Sequence, residues 1–458
     1  MRDDSSSRFL ERRLGPLDAA AIVISNVIGV GIFITPRIIA VAIPHPIGFL
    51  AVWLAGGLLA FAGAMAYAEL GTLRPRSGGE YVYLREGYGP LAAFLTGWTS
   101  FVAGFAGAIA AGALGVSDYL GRFLPVASDA TPLLTVPVPW LPLVFSPRTL
   151  VALTVITGLA LIHMRGLGPG RLVQNTLAGI KVGALALFVA LGLGLGRGSL
   201  AHLTMEVPSA TYNWPLAFII VMFAYSGWNA ASYVAEEIRD PGRNVPRALA
   251  LGTGAVVLLY LGLNFLYLYA VPIGEIGSDT SSELAMVAAE RLLGPVASTL
   301  LGGLAVIVLS GSLSAMTVAG PRVYFAMARD GEFFPAFARI HPRFHTPWVS
   351  IAAQAVWSSL LVLTNTKDQL AEYTGFAVLL FSAVAVSTVF VLRRRYPDEP
   401  RPFKALGYPV APAIFVLASL AIMVAAIAGR PGPSLVGAII IASGVPLYWL
   451  LRYRLKKP

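Results

Sequence analysis

Cysteine is absent from all 458 residues, which excludes disulfides, a thiolate metal site and thiol catalysis together. Charge is scarce: Asp, Glu, Lys and Arg make up 12% of the chain, about half of the ~25% typical of soluble domains. Histidine is scarcer still. Of the five, His341 and His345 stand four apart, but Pro342 and Pro347 argue against a helix that would bring them to one face. No metal and no cofactor is therefore expected. No nucleophile–base constellation and no phosphate-binding loop appears either, so an enzyme is the least supported class.

What fills the chain is apolar. Hydrophobic residues reach 57% and the mean hydropathy is +0.74, the signature of an all-α polytopic membrane protein. The N-terminus is short and polar (Arg2, Asp3, Asp4, Ser5) and carries no h-region, so no cleavable signal is expected. Twelve apolar spans are expected, at about 17–40, 46–72, 91–119, 149–164, 173–195, 213–236, 246–271, 295–327, 347–364, 370–392, 408–428 and 433–452. The net charge of +10 reads as topology rather than nucleic-acid binding. Most Lys and Arg residues fall on the side of the two termini, as in Arg8, Arg12 and Arg13, Arg393–Arg395 and Arg452, which places both termini in the cytoplasm.

The run Val27-Ile-Gly-Val-Gly-Ile-Phe33 puts Gly29 and Gly31 in the middle of the first span, with Pro36 following. Each glycine inside a helix costs about 0.8–1 kcal/mol relative to alanine. Two readings stand: a pair that lets helices pack closely, or a helix that breaks inside the membrane, where unwound backbone must line a cavity or lie buried. The sixth span favours the break. In Phe223-Ala-Tyr-Ser-Gly-Trp-Asn-Ala230, Ser226, Gly227 and Asn229 sit at mid-span, and a short second half ends in Glu236-Glu237. Interruptions five spans apart point to an inverted repeat of five plus five helices with the substrate between the breaks. The expected organisation is a tail over 1–16, a first repeat over 17–197, a second over 213–392, two further spans over 408–452 and a tail over 453–458.

Lys181 lies about eight residues into the fifth span, roughly 12 Å below the helix end at 1.5 Å per residue. Its stem allows partial snorkelling, while intramembrane charges commonly face the interior and take part in transport. At that depth the ammonium needs acceptors. The carbonyls of the broken first span are one source, and Ser310, Ser312, Ser314 and Thr317 of the eighth are another, although these hydroxyls equally suit a helix–helix seam. Whether Lys181 exchanges a proton or acts as a fixed surrogate for sodium stays open. Other charges read as structural: Glu69 and Glu80 as ion pairs near Arg74 and Arg76, and Glu236 and Glu237 as partners of Arg243 or Arg247. Trp228, inside the break, is read as an aromatic wall or gate.

Ile28–Phe33, Ala68-Glu-Leu-Gly71 with Ser77-Gly-Gly-Glu-Tyr81, and Phe223–Asn229 with Asn244-Val-Pro246 resemble the amino acid–polyamine–organocation superfamily, most of all its L-type amino acid transporter branch. The likeness runs on through His341–Pro347 and Arg393–Phe403 and covers nearly the whole chain. It implies a LeuT-type fold and an α-amino acid held by its backbone. The carboxylate would meet N–H groups at Val30 and Gly31, and the ammonium carbonyls at Val27, Phe223 and Ser226. Phe223 would gate the site, Asn229 would hydrogen-bond near it, and Lys181 matches the fifth-helix lysine. Val30 stands where the family often has serine, and Ser226 where glycine is common. Animal members join a heavy chain through a cysteine; without one, no such disulfide-linked partner is expected. The expected function is sodium-independent transport of small or medium neutral amino acids, by exchange or with protons, because the third span (Phe101–Ala113) holds no acid to meet a cationic side chain. A cationic amino acid or polyamine transporter is the alternative, and a non-transporting sensor or channel the reading from another class.

Overall fold

The computed structural model describes residues 10–29, 31–138, 142–205, 207, 211–278, 284–364, 367–429 and 431–455, and for residues 167, 367–377, 431 and 433 the backbone alone. The chain is almost entirely helical: α1 Pro16–Val27, α2 Gly31–Ala42, α3 Pro46–Leu73, α4 Glu80–Tyr88, α5 Pro90–Thr99, a π-helical turn Ser100–Gly104, α6 Phe105–Leu120, α7 Pro147–Met164, α8 Leu167–Gly194, α9 Trp214–Ala224, α10 Ala230–Tyr233, α11 Pro241–Ala270, α12 Ile273–Ser278, α13 Leu284–Leu293, α14 Pro295–Arg329, α15 Trp348–Leu363, α16 Lys367–Arg395, α17 Val410–Gly429 and α18 Pro431–Leu455. A small antiparallel hairpin, β1 Leu134–Val136 with β2 Leu143–Phe145, follows α6.

Prolines begin many of these helices. Pro46, Pro90, Pro147, Pro241 and Pro295 each sit in a first turn, where a missing N–H costs nothing. Among the described residues, eight helical runs are long and apolar enough to cross a membrane: α3, α5 through α6, α7, α8, α11, α14, α17 and α18. The pair α1 and α2, bent by 48° at its break, makes a ninth. The chain is a multi-pass membrane protein. Against the twelve expected spans, the sixth divides into α9 and the four-residue α10, the ninth is α15 with 16 residues, and the tenth corresponds to α16. Of the expected tails, residues 1–9 and 456–458 lie outside the described residues.

The core around the interrupted helices is built by α1, α3, α8, α11 and α14. Its polar anchors differ from the sequence expectation. Glu69 pairs with Arg393 and Arg401 from the far end of the chain, while Arg74 turns to Glu86 and Glu399 and Arg76 to Asp330. Glu236 and Glu237 pair with Arg329 and Arg322 of α14, not with Arg243 or Arg247. The backbone N–H of Leu10 and of Ser77 also reach Glu236, and Leu14 bridges in parallel to Ile238. Thus the segment before α1 and the loop before α4 are both tied to the end of the second interrupted helix.

Candidate functional site between two helix breaks

The two breaks touch. At the first, α1 ends at Val27 and Ile28 turns to extended backbone (φ −76°, ψ 91°). At the second, Tyr225–Asn229 form turns between α9 and α10. A Cβ on Gly31 would lie 3.2 Å from Ala224 Cα. Gly227 adopts φ +100°, and a Cβ there would lie 3.0 Å from the carbonyl carbon and oxygen of Asn26. Each interruption therefore needs a glycine against the other's backbone. This joins the two readings of the glycine pair: the chain breaks and also packs closely.

Breaks free backbone groups, and the surroundings satisfy several of them. Lys181, fully buried on α8, donates from Nζ to Ser25 O at 3.1 Å and to Ile28 O at 2.5 Å. It makes no hydrogen bond to the serines of α14. Ser314 instead bonds His163 Nε2 at 2.8 Å, Ser312 lies beside Gly29, and Ser310 is half-buried. The hydroxyl of Tyr260, on α11, sits 3.1 Å from Val27 O and 3.3 Å from Ala224 O, so one side chain spans the ends of α1 and α9. Nothing in a one-dimensional reading singled out Tyr260, because a lone tyrosine in an apolar span carries no positional signal. Phe223 O already accepts from Ser226 N at 3.0 Å; a carbonyl retains a second lone pair.

A cavity opens beside the breaks. Asn26, Ser226, Gly227 and Asn229 line it on one side, Thr99 and Phe105 from around the π-helical turn on another. Asn26 Oδ1 and Thr99 Oγ1 are buried there without a partner among the described residues. π-Turns recur at functional sites because they redirect side chains. Of the residues expected from sequence to bind a ligand, Ser226 and Asn229 reach the cavity. Val27, Gly29, Gly31 and Phe223 belong to the breaks but do not line it, and Val30 lies outside the described residues. Trp228 faces away: its ring packs edge-on against Tyr67 (4.9 Å) and Phe415 (5.5 Å), so it is a packing residue in this structure.

Glu80 also departs from the expectation of an ion pair near Arg74 and Arg76. Gly79 (φ +49°) reverses the loop against Tyr233, and Gly78 N bonds Tyr233 O, so α4 opens with Glu80 aimed into the cavity. Its carboxylate pairs with neither Arg74 nor Arg76. It accepts from Asn229 Nδ2 (2.6 Å), Tyr67 Oη (2.9 Å) and Tyr233 Oη (3.2 Å).

The family model described as amino acid permease matches residues 14–451. The chain is 30% identical to the large neutral amino acids transporter small subunit 2 of Mus musculus, over 98% of this chain and 82% of that protein. It is 28% identical to the serine/threonine exchanger SteT of Bacillus subtilis, over 97% and 98%, and 28% identical to the human cystine/glutamate transporter, over 98% and 87%.

Proposed function

The chain belongs to the amino acid permease family and transports amino acids across a membrane, and we propose that it does so by alternating access around the contact between its two interrupted helices. The α-carboxylate of a zwitterion takes the backbone N–H groups that open α2, Gly31 among them with Gly29 and Val30 beside it. Its ammonium takes carbonyls at the ends of α1 and α9, those of Val27, Phe223 and Ser226. Helix N-termini favour anions and exposed carbonyls favour cations. The reciprocal fit of Gly31 on Ala224 and Gly227 on Asn26 carries this reading: it brings the freed backbone groups of one break next to those of the other. In this proposal residues 17–197 and 213–392 form inverted five-helix repeats of a LeuT-type fold, 408–452 adds two helices, and both termini lie on the cytoplasmic side of the cell membrane. The chain works without a disulfide-linked heavy chain.

Lys181 supplies a fixed positive charge at Ser25 and Ile28, where a sodium ion would otherwise be needed, so transport is sodium-independent. The mode is exchange, as the name of the Bacillus relative states for that protein. Substrates are small or medium neutral amino acids, because the third span brings no acid to meet a cationic side chain. A second reading, a cationic substrate, is favoured by Glu80 at the cavity, an acid that the third span lacks.

Counterflow in proteoliposomes tests both. Labelled leucine, serine, arginine and putrescine are offered against unlabelled internal pools, with and without a proton gradient and with sodium replaced by choline. Leucine or serine exchange undiminished in choline is expected. Strict sodium dependence overturns the role of Lys181, exchange of arginine or putrescine alone selects the second reading, and the lack of any counterflow ends the transport mechanism proposed here.

A further inference from the structure

Glu80 is buried to 5% exposure, yet among the described residues it pairs with no cation. Glu69, Glu236 and Glu237, buried like it, each hold an arginine. A buried carboxylate without a counter-charge is costly unless hydrogen bonds or a proton neutralise it. At Glu80 every partner is a donor, and all converge on Oε1: Tyr67 at 2.9 Å, Asn229 at 2.6 Å, Tyr233 at 3.2 Å and Ser382 at 3.4 Å. The carboxylate also borders the cavity, which gives it a route to water.

Asn229 is the joint of this network. It lies in the second break, and its amide donates both to Glu80 and to the Tyr233 hydroxyl at 3.1 Å. While Glu80 is ionised it holds Asn229, and with it the unwound backbone beside Ser226 and Gly227. We propose that Glu80 is a proton-binding site coupled to substrate occupancy: a proton on Glu80 releases Asn229 toward the bound amino acid, and loss of the proton recaptures it. This inference rests on the transport reading above. The proton comes from water in the cavity and returns to it, and no bond other than the carboxyl O–H forms or breaks. Because each loaded carrier holds one proton with its amino acid, like-for-like exchange moves no net proton.

The titratable groups facing Glu80 are Tyr67 from α3, Tyr83 from its own helix and Tyr233 from α10. α5 and α16 present hydroxyls, Thr96 and Ser382. α14, which also touches α4, commits Arg322 and Arg329 to Glu237 and Glu236, and Asp330 beyond it pairs with Arg76 and Arg85. Among the described residues no other carboxylate and no histidine acts on Glu80. Burial lifts the Glu80 carboxyl above the usual range for glutamate, against the pull of Tyr67, Tyr233 and Ser382.

The experiment uses the full-length protein in proteoliposomes and in detergent. Counterflow of labelled L-leucine and L-serine is measured from acid to mildly alkaline pH, roughly 5 to 8, for wild type, Glu80→Gln and Glu80→Asp, because a carboxyl raised by burial gives up its proton above the ordinary glutamate range. Wild type is expected to lose about tenfold in rate over that range as pH rises, a factor set by ~1.4 kcal/mol. Glu80→Gln, which mimics the protonated form, is expected to be flat and close to the wild-type acid rate, while Glu80→Asp keeps a pH profile. In weakly buffered detergent with a pH dye, wild type is expected to take up a proton when L-leucine is added at neutral pH. That measurement stands even if Glu80→Gln fails to fold. Identical pH profiles for wild type and Glu80→Gln, or leucine binding without proton uptake in wild type, overturn the inference while leaving transport itself in place. If Glu80→Gln abolishes only arginine or putrescine exchange, Glu80 reads a cationic side chain and the proton site is likewise overturned. Absence of counterflow in wild type is instead a failure of the transport reading.

Discussion

Gly227 and Asn26 meet backbone to backbone: Gly227 holds φ +100°, and a Cβ there would fall 3.0 Å from the Asn26 carbonyl, tighter than most real Cβ contacts. Gly227→Ala therefore carries two penalties, a backbone region costing L-residues about 1–3 kcal/mol and a collision with main chain that has no rotamer to escape into. Thermal unfolding in detergent is expected to fall by several degrees, and leucine counterflow to be lost. Gly254→Ala in α11, where a Cβ meets open space, is expected to leave both near wild type. Equal behaviour of the two variants would mean the contact is not tight.

Lys181→Ala removes the donor to Ser25 O and Ile28 O. Buried acceptors left without a partner cost about 1–3 kcal/mol. The expected outcome is loss of nearly all counterflow. Lys181→Met, which keeps the volume but leaves the same two acceptors without a donor, is expected to unfold at a higher temperature than Lys181→Ala while still failing to transport. Near-normal rates for either variant would reduce Lys181 to a snorkelling residue.

Tyr260→Phe deletes only the hydroxyl that joins the ends of α1 and α9; the ring keeps its edge contact with Trp53 at 5.5 Å. One buried hydrogen bond is worth about 1 kcal/mol, so the concentration of leucine giving half-maximal counterflow is expected to rise about fivefold. An unchanged value would show that the bridge does not outlast substrate binding.

Arg322 and Glu237 form a buried ion pair with contacts of 2.8 and 3.0 Å. Removing one partner leaves an uncompensated charge, a loss of about 3–5 kcal/mol. Arg322→Met and Glu237→Gln are each expected to melt well below wild type, and the double variant to recover much of the difference. If the double variant melts lower than either single one, the pair is not acting as a pair.

Much of this architecture is written in local pattern. The α7 helix, expected at 149–164, runs Pro147–Met164 behind a Ser146 cap, because apolar runs and capping residues act over neighbouring positions. The interruption at Gly29–Gly31 was legible for the same reason. The division of the sixth span was legible too, although its second half proves to be only one turn of α-helix followed by a 3-10 turn. Charge partners were not. Glu69 stands five residues from Arg74 in sequence but takes Arg393 and Arg401, more than 300 residues away, since a helix end in a bundle is surrounded by other helix ends. Trp228 was misread because its place in a break says nothing of which way the ring turns.

By itself the sequence determined the membrane class, the two interruptions and the need of Lys181 for acceptors; each follows from transfer free energy and backbone propensity, which are local. Only the tertiary structure decided that the acceptors are Ser25 and Ile28, that Tyr260 spans both helix ends, and that Glu80 borders the cavity. Those are distances between segments far apart in the chain, set by how helices pack and not by what any one of them contains.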